Sequence, residues 1–213
     1  MDGTQPLGRK RDAERTRQDI LDVAALEFAD QGFDGARVDA IAARTKTTKR
    51  MIYYYFNSKE ELYLAVLDQG YSGIRTLEAE LELDPLPPER ALRRLIEFTF
   101  DYHDEHPNFV RLIMNENMMQ GAHLGSIPNL RARNSPAIMV LAAVLERGRN
   151  AGVFRANTDP VDVHFMISAL CFYRVSNRYT FGANFGINLA DATIRSRQRE
   201  MIVSTVLSHL MSA

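Results

Sequence analysis

The 213-residue chain has a single cysteine, Cys171, set inside an apolar stretch. One thiol cannot close an internal disulfide, and there is no Cys/His framework for a metal, so a reducing compartment, most simply the cytoplasm, is expected. Long apolar runs are also missing. The longest, residues 163–173 and 137–145, fall far short of the ~20 residues that cross a bilayer. Residues 1–18 are polar and basic without the apolar centre of a signal peptide, so no membrane partner is expected. No segment alternates apolar and polar residues as a half-buried strand would, and neither internal repeats nor low-complexity tracts occur. The charge balance is nearly even, 26 basic against 27 acidic side chains. Net charge therefore excludes little, and the location of the charge matters more.

That location is uneven. Between Arg37 and Lys59 the basic residues are Arg37, Arg44, Lys46, Lys49, Arg50 and Lys59, against Asp39 alone. The preceding arm adds Arg9, Lys10, Arg11, Arg15 and Arg17, while acids dominate residues 78–84. Helical periodicity runs through the whole chain. Ile20, Val23, Ala24, Phe28 and Ala29 predict a helix over 12–30 that Gly32 stops. Val38, Ile41 and Ala42 mark a short helix to Arg44, and Thr48 is a plausible N-cap for a second, running through Tyr55. Ser58 and Glu61 have capping-box spacing at the start of a long helix to about Leu81. Pro85, Pro87 and Pro88 interrupt it. Further helices are predicted at 89–105, 107–120, 128–149, 160–181 and 190–211. The fold class is all-α, with about nine helices.

Helix, tight turn and short helix within about 20 residues is the geometry that places the second helix in the ~12 Å major groove while the first braces it. At Val38-Asp39-Ala40-Ile41-Ala42, followed by Thr47-Thr48-Lys49-Arg50-Met51-Ile52-Tyr53-Tyr54-Tyr55-Phe56-Asn57-Ser58-Lys59-Glu60-Glu61-Leu62, the sequence resembles the TetR family of regulators, over about residues 14–67. The resemblance implies that Thr48 caps the recognition helix and meets phosphate, that Lys49 and Arg50 stand at its groove-facing start, and that Tyr54 and Lys59 grip phosphates. Tyr53 and Phe56 are implied to pack. Two departures add positive charge: Arg37 replaces the usual Ser/Thr cap, and Lys46 the usual turn glycine, where a left-handed backbone would strain a lysine. The candidate DNA-binding set is Arg37, Lys46, Thr47, Thr48, Lys49, Arg50, Tyr54 and Lys59. Arg9, Lys10 and Arg11 are expected to reach the DNA backbone or minor groove.

The boundary is placed after residue 57, with an arm and helix-turn-helix over 1–57 and an effector-binding and dimerisation domain over 58–213. The family implies a homodimer through its last two helices, which suits the apolar stripe of Ile202, Val206 and Leu210 and the apolar run before Tyr173. Met and aromatic density at Phe98, Phe100, Tyr102, Phe109, Met114, Met118 and Met119, interspersed with Arg111, Asn115 and Asn117, suits an adaptable apolar cavity. Tyr102, Met114, Met118 and Tyr173 are the candidate effector contacts. Catalytic, cofactor and metal sites are not expected. His103 and His106 read as histidines at a surface helix terminus, Cys171 as a buried inert thiol, and Ser126 with Gly121 and Gly125 as no nucleophile elbow. The partners expected are operator DNA, a small-molecule effector and a second copy of the chain. The function expected is a repressor released from a palindromic operator by its effector, through movement of the long helix from Ser58. The alternative is a constitutive dimeric DNA-binding protein without a ligand.

Overall fold

The computed structural model of the chain describes residues 7–211, with side chains from residue 11 onward. The side chains of Arg9 and Lys10 lie outside the described residues, and with them the expectation that they reach DNA, whereas Arg11, Arg15 and Arg17 are described on α1. Among the described residues there is no strand, and the ten α-helices are α1 (Leu7–Gly35), α2 (Val38–Arg44), α3 (Lys49–Phe56), α4 (Lys59–Ala79), α5 (Pro88–Glu105), α6 (Pro107–Met118), α7 (Leu130–Asn150), α8 (Pro160–Ser176), α9 (Arg178–Phe185) and α10 (Ala192–Leu210). None is long and apolar enough to cross a membrane.

The all-α class is as expected, with one helix more than the periodicity suggests. The extra element arises at Asn177. Its backbone leaves helical geometry at φ −105°, ψ 10°, while its amide at 3.0 Å and its side chain at 3.4 Å both donate to Tyr173 O, so the local hydrogen bonds of the asparagine accompany the break. α1 also starts earlier than its apolar stripe, which places Arg11 on the helix instead of before it. Gly32 does act as the stop: its φ of 68° belongs to the left-handed region that glycine tolerates.

Two compact units share these helices. One comprises residues up to Gly70 with Arg111–Pro128, the other Tyr71–Val110 with the residues from Asn129 onward. α4 and α6 thus each begin in one unit and end in the other. In the first unit, Ile20, Ala24 and Phe28 of α1, Val38 and Ile41 of α2, Ile52 and Phe56 of α3 and Leu62, Tyr63 and Val66 of α4 are all buried.

In the second unit α5 packs against α7, α8 and α10, and α8 against α7 and α10. Leu92, Leu95, Ile96, Leu141, Leu145, Val163, Ile167, Ile202, Val206 and Leu210 share one core. A single guanidinium organises the proline turn that leads into α5: Arg147 donates to Leu83 O, Asp84 O and Leu86 O at 2.9, 2.5 and 3.2 Å. On α5, Asp101 and Asp104 gather Arg174, Arg178, Arg195 and Arg199 from the C-terminal helices.

Burial corrects the expected dimer contacts. Ile202, Val206 and Leu210 are 4%, 0% and 0% exposed, on the inner face of α10. The stripe is real, but it is turned toward the protomer's own core and cannot meet a partner. The apolar side chains left exposed on the C-terminal helices are Val161, Phe165 and Tyr173 of α8, Tyr179 and Phe185 of α9, and Met201 of α10.

Two substitutions test this packing. Val206→Glu should unfold the second unit, because it strands a charge among apolar side chains at a cost of at least several kcal/mol; urea titration followed by near-UV circular dichroism reads it. A stable monomer would contradict the assignment to the core. Gly148→Ala would place a Cβ 1.9 Å from Phe154 Cδ2. It should cost about 1–3 kcal/mol of stability and lower Tm by roughly 2–4 °C for each, measured by calorimetry.

Candidate functional site

The basic surface is built on α1. Glu27 falls three residues after Ala24 on the stripe that α1 buries, and its carboxylate is 9% exposed. It accepts from the Arg37 amide at 3.3 Å and pairs with Arg44 at 3.5 Å, so it holds α2 at its N-cap and at its last turn. The Ser/Thr cap itself is not replaced: Arg37 has extended backbone geometry and makes no side-chain cap, and Glu27 holds the amide of Arg37 instead. The sequence signal was a charged residue on an otherwise apolar helix face.

The turn after α2 is closed by Thr45, whose hydroxyl donates to Ile41 O at 3.1 Å. Lys46 is not among the left-handed residues, which are Asn57, Glu82, Gln120 and Asn129, so lysine in the glycine position carries no strain here. Thr48 caps α3 as expected, its hydroxyl accepting from the Met51 amide at 3.3 Å. α3 buries Ile52 and Phe56 and turns Arg50 and Tyr54 outward. Tyr54 is 75% exposed, and neither it nor Arg50 has a hydrogen-bond or ion-pair partner among the described residues. Arg37, Lys46 and Lys49 are likewise exposed, and Thr47 half-buried. Lys49 donates to Asp39 at 2.9 Å, and that hydrogen bond to a carboxylate lifts its pKa above the ordinary value.

Lys59 is placed differently from the others. Its ammonium sits 4.9 Å over the Phe33 ring and donates to Asp34 O at 3.2 Å, tying α4 to the end of α1. Half of the expected capping box forms: Ser58 Oγ accepts from the Glu61 amide at 3.0 Å, while the Glu61 carboxylate takes Asn57 Nδ2 at 2.7 Å. Asn57 stands at φ 55°, which a short amide side chain tolerates.

The polar residues of α6 are not cavity anchors. Arg111 pairs with Asp30 at 2.6 Å, Asn115 donates to Phe28 O at 3.1 Å, and Asn117 caps its own helix through Ile113 O. Next to them lies a cluster that sequence reasoning missed. Glu116, 1% exposed, accepts from Tyr63 Oη at 3.1 Å and from the His123 amide at 2.7 Å, and lies 3.0 Å from His123 Nδ1. Burial alone would raise its carboxyl pKa, but these donors hold it below the ordinary range.

The four effector candidates fall in both units, two in each. Met114 and Met118 belong to the first unit and Met118 is 81% exposed, so it cannot wall an enclosed cavity. Tyr173 is half exposed and lines an open apolar groove of about 370 Å³ with Leu170, Phe181, Leu189 and Met201. Tyr102 alone is buried, stacked on His106 with ring centroids 4.1 Å apart. His103 corrects the reading of a surface terminus. It is 5% exposed between Phe109 and Phe172, and burial, with help from Arg75, His106 and His164, pushes its pKa down to about 4. His106 does sit exposed at the helix end, against Tyr102 O. Cys171 is the inert thiol expected, pushed up to about 12 by burial. Among the described residues no three His, Cys, Asp or Glu side chains are grouped to hold a metal.

Residues 20–66, which hold α2 and α3, match the family described as bacterial regulatory proteins, tetR family. Residues 88–206 match the tetracyclin repressor-like C-terminal domain. The chain is 41% identical over 183 residues to the HTH-type transcriptional repressor NicS of Pseudomonas putida, covering 86% of each protein. It is 33% identical over 165 residues to the HTH-type transcriptional repressor SCO4008 of Streptomyces coelicolor, covering 78% of this chain and 81% of that one. The crystal structure of SCO4942 from Streptomyces coelicolor superposes with a TM-score of 0.68 at 26% identity, over 92% of this chain and 98% of its own. With a helix-turn-helix whose outer face is basic and open, and with both parts of its length matched, the chain belongs to the TetR family of DNA-binding transcriptional regulators.

Proposed function

We propose that the chain is a dimeric repressor that grips operator DNA through α2 and α3 and releases it when a small molecule enters the second unit. The observation that carries the DNA reading is the outer face of α3: Arg50 and Tyr54, one turn apart, exposed and without partners, on a helix whose start is fixed by the Thr48 cap. An arginine so placed can present two donors to a guanine edge, and the Tyr54 hydroxyl a donor to phosphate. Arg37, Lys46, Thr47 and Lys49 add phosphate contacts around it. Lys59 holds α1 and α4 together, and its contribution to DNA binding is through that positioning.

The second copy is proposed to cover the outer faces of α8 and α10. Val161, Phe165, Ala169 and Tyr173 follow one another at four-residue spacing and are all exposed, and Met201 is the exposed apolar residue of α10. An apolar strip of this kind marks an interaction surface, and a twofold partner would match a palindromic operator. Effector control is supported by the buried, incompletely partnered polar side chains of the second unit and by α4, which runs unbroken from Lys59 to Ala79 and carries Tyr63 in one unit and Arg75 in the other.

Arg50→Ala should weaken operator binding by about 1–3 kcal/mol and relax base preference at one position, whereas Tyr54→Phe should weaken all sequences alike. Footprinting and titration of both variants check this; wild-type footprints from both would remove α3 from the interface. Phe165→Glu should yield a folded monomer in sedimentation velocity that no longer protects a palindromic site. An intact dimer would exclude this face.

A further inference from the structure

Resting on the effector reading of the second unit, we infer that its effector is a small aromatic carboxylate, held through its oxygens by Arg75 and His103. Four helices of that unit supply the groups. Arg75 and Glu78 come from the end of α4, Tyr102 and His103 from α5, Phe109 from the start of α6, and His164, Ser168 and Phe172 from α8. Two nitrogens among them are buried and have no hydrogen-bond partner, Arg75 Nε and His103 Nδ1. Nearly all buried polar atoms in folded proteins are satisfied; Arg147 Nε and Arg178 Nε also lack a partner, so the pointer to a missing acceptor is the combination of the Arg75 Nε edge with an open, buried histidine nitrogen and not either orphan alone.

Their chemistry narrows what that is. An arginine Nε only donates, and a neutral histidine donates from Nδ1 in one of its two tautomers, so a group with acceptors satisfies both nitrogens. The Arg75 guanidinium is already paired through its terminal nitrogen with Glu78, itself buried. That leaves the Nε edge to a second acceptor. The positive charge of Arg75 acts on Tyr102 and His103 of α5 and on His164 of α8. His164, half-buried, is engaged with Ser168 Oγ at 3.4 Å, which leaves the buried His103 as the open histidine of the set.

Flat apolar walls complete the set. The His103 ring lies 6.3 Å from Phe109, nearly parallel to it, and 5.8 Å from Phe172 at 88°. Tyr102 stands 5.9 Å from both Phe98 and Phe109. Gly73 faces the Tyr102 hydroxyl, which is 3.4 Å from the place a Cβ would occupy, so the α4 backbone comes close to α5 here. A carboxylate supplies two acceptors in one plane, and an aromatic body suits the rings; a neutral amide offers one acceptor and brings two unwanted donors.

The test uses benzoate, phenylacetate, cinnamate and naphthoate, each beside its carboxamide, titrated calorimetrically into the full-length protein. At least one acid should bind with roughly tenfold or greater preference over its amide. That preference should collapse toward parity in Arg75→Met and in His103→Phe, whereas a purely structural role would weaken acid and amide together. If either variant fails to fold, Arg75→Lys and His103→Gln replace them and should retain part of the preference. Equal binding of acids and amides, a preference that survives in the variants, or no binding of any acid at millimolar concentration would overturn the assignment. Effector control itself is judged separately, by release of operator in a screen of uncharged metabolites: a neutral inducer acting where these acids do nothing would keep that reading and remove the carboxylate.

Discussion

A buried carboxylate on α1 sets the frame for the DNA-facing surface. Glu27 would be costly to hide if it were unpaired, yet it accepts from the amide of Arg37, just before α2, and balances Arg44 at the other end of that helix. A seven-residue helix has little stability of its own. With both ends held by one side chain, and with Val38 and Ile41 buried, α2 becomes a fixed strut. The turn after it and the start of α3 inherit that position. Arg50 and Tyr54 are placed by this support together with the Thr48 cap and the burial of Ile52 and Phe56.

The part of the fold that is local in sequence was legible there. Gly32 ends the long run of α1 because only glycine sits easily at its backbone angles, Thr48 caps α3 because its hydroxyl reaches one turn ahead, and the boundaries of α2 match the apolar spacing. These are short-range effects with short-range signatures. Orientation in space was not legible. An apolar stripe such as Ile202, Val206 and Leu210 has the same pattern whether it faces the protomer core or a partner, and only burial in the assembled fold tells them apart. Met118 misled for a related reason: a flexible apolar side chain near aromatic neighbours in sequence can project away from them. His103 was misread because the charges beside it in sequence, Asp101 and Asp104, turn toward the arginines of the C-terminal helices, while the imidazole turns inward.

The helices that cross from one unit to the other carry polar attachments on both sides of the boundary. α6 is fastened in the first unit through Arg111, Asn115 and Glu116, and its first turn presents Phe109 to His103 in the second. α4 carries Tyr63, which donates to Glu116, and farther along Arg75 and Glu78. Coupling between sites needs an element whose placement both sites bias. Within the first unit these two helices are pinned to each other by the Tyr63–Glu116 hydrogen bond.

The pairing of Lys49 with Asp39 bears on how DNA binding responds to ionic strength. A lysine that leaves a carboxylate for a phosphate exchanges one anion for another, so the gain in contact energy is partly cancelled. The freed Asp39 carboxylate then repels the nearby phosphates. Salt dependence counts the cations displaced from the duplex, and those are displaced on any DNA, whatever its sequence. The Lys49–Asp39 pair is exposed on both sides, so breaking it costs little; on the proposed DNA reading, Asp39 trims what Lys49 contributes by that small amount on every sequence alike.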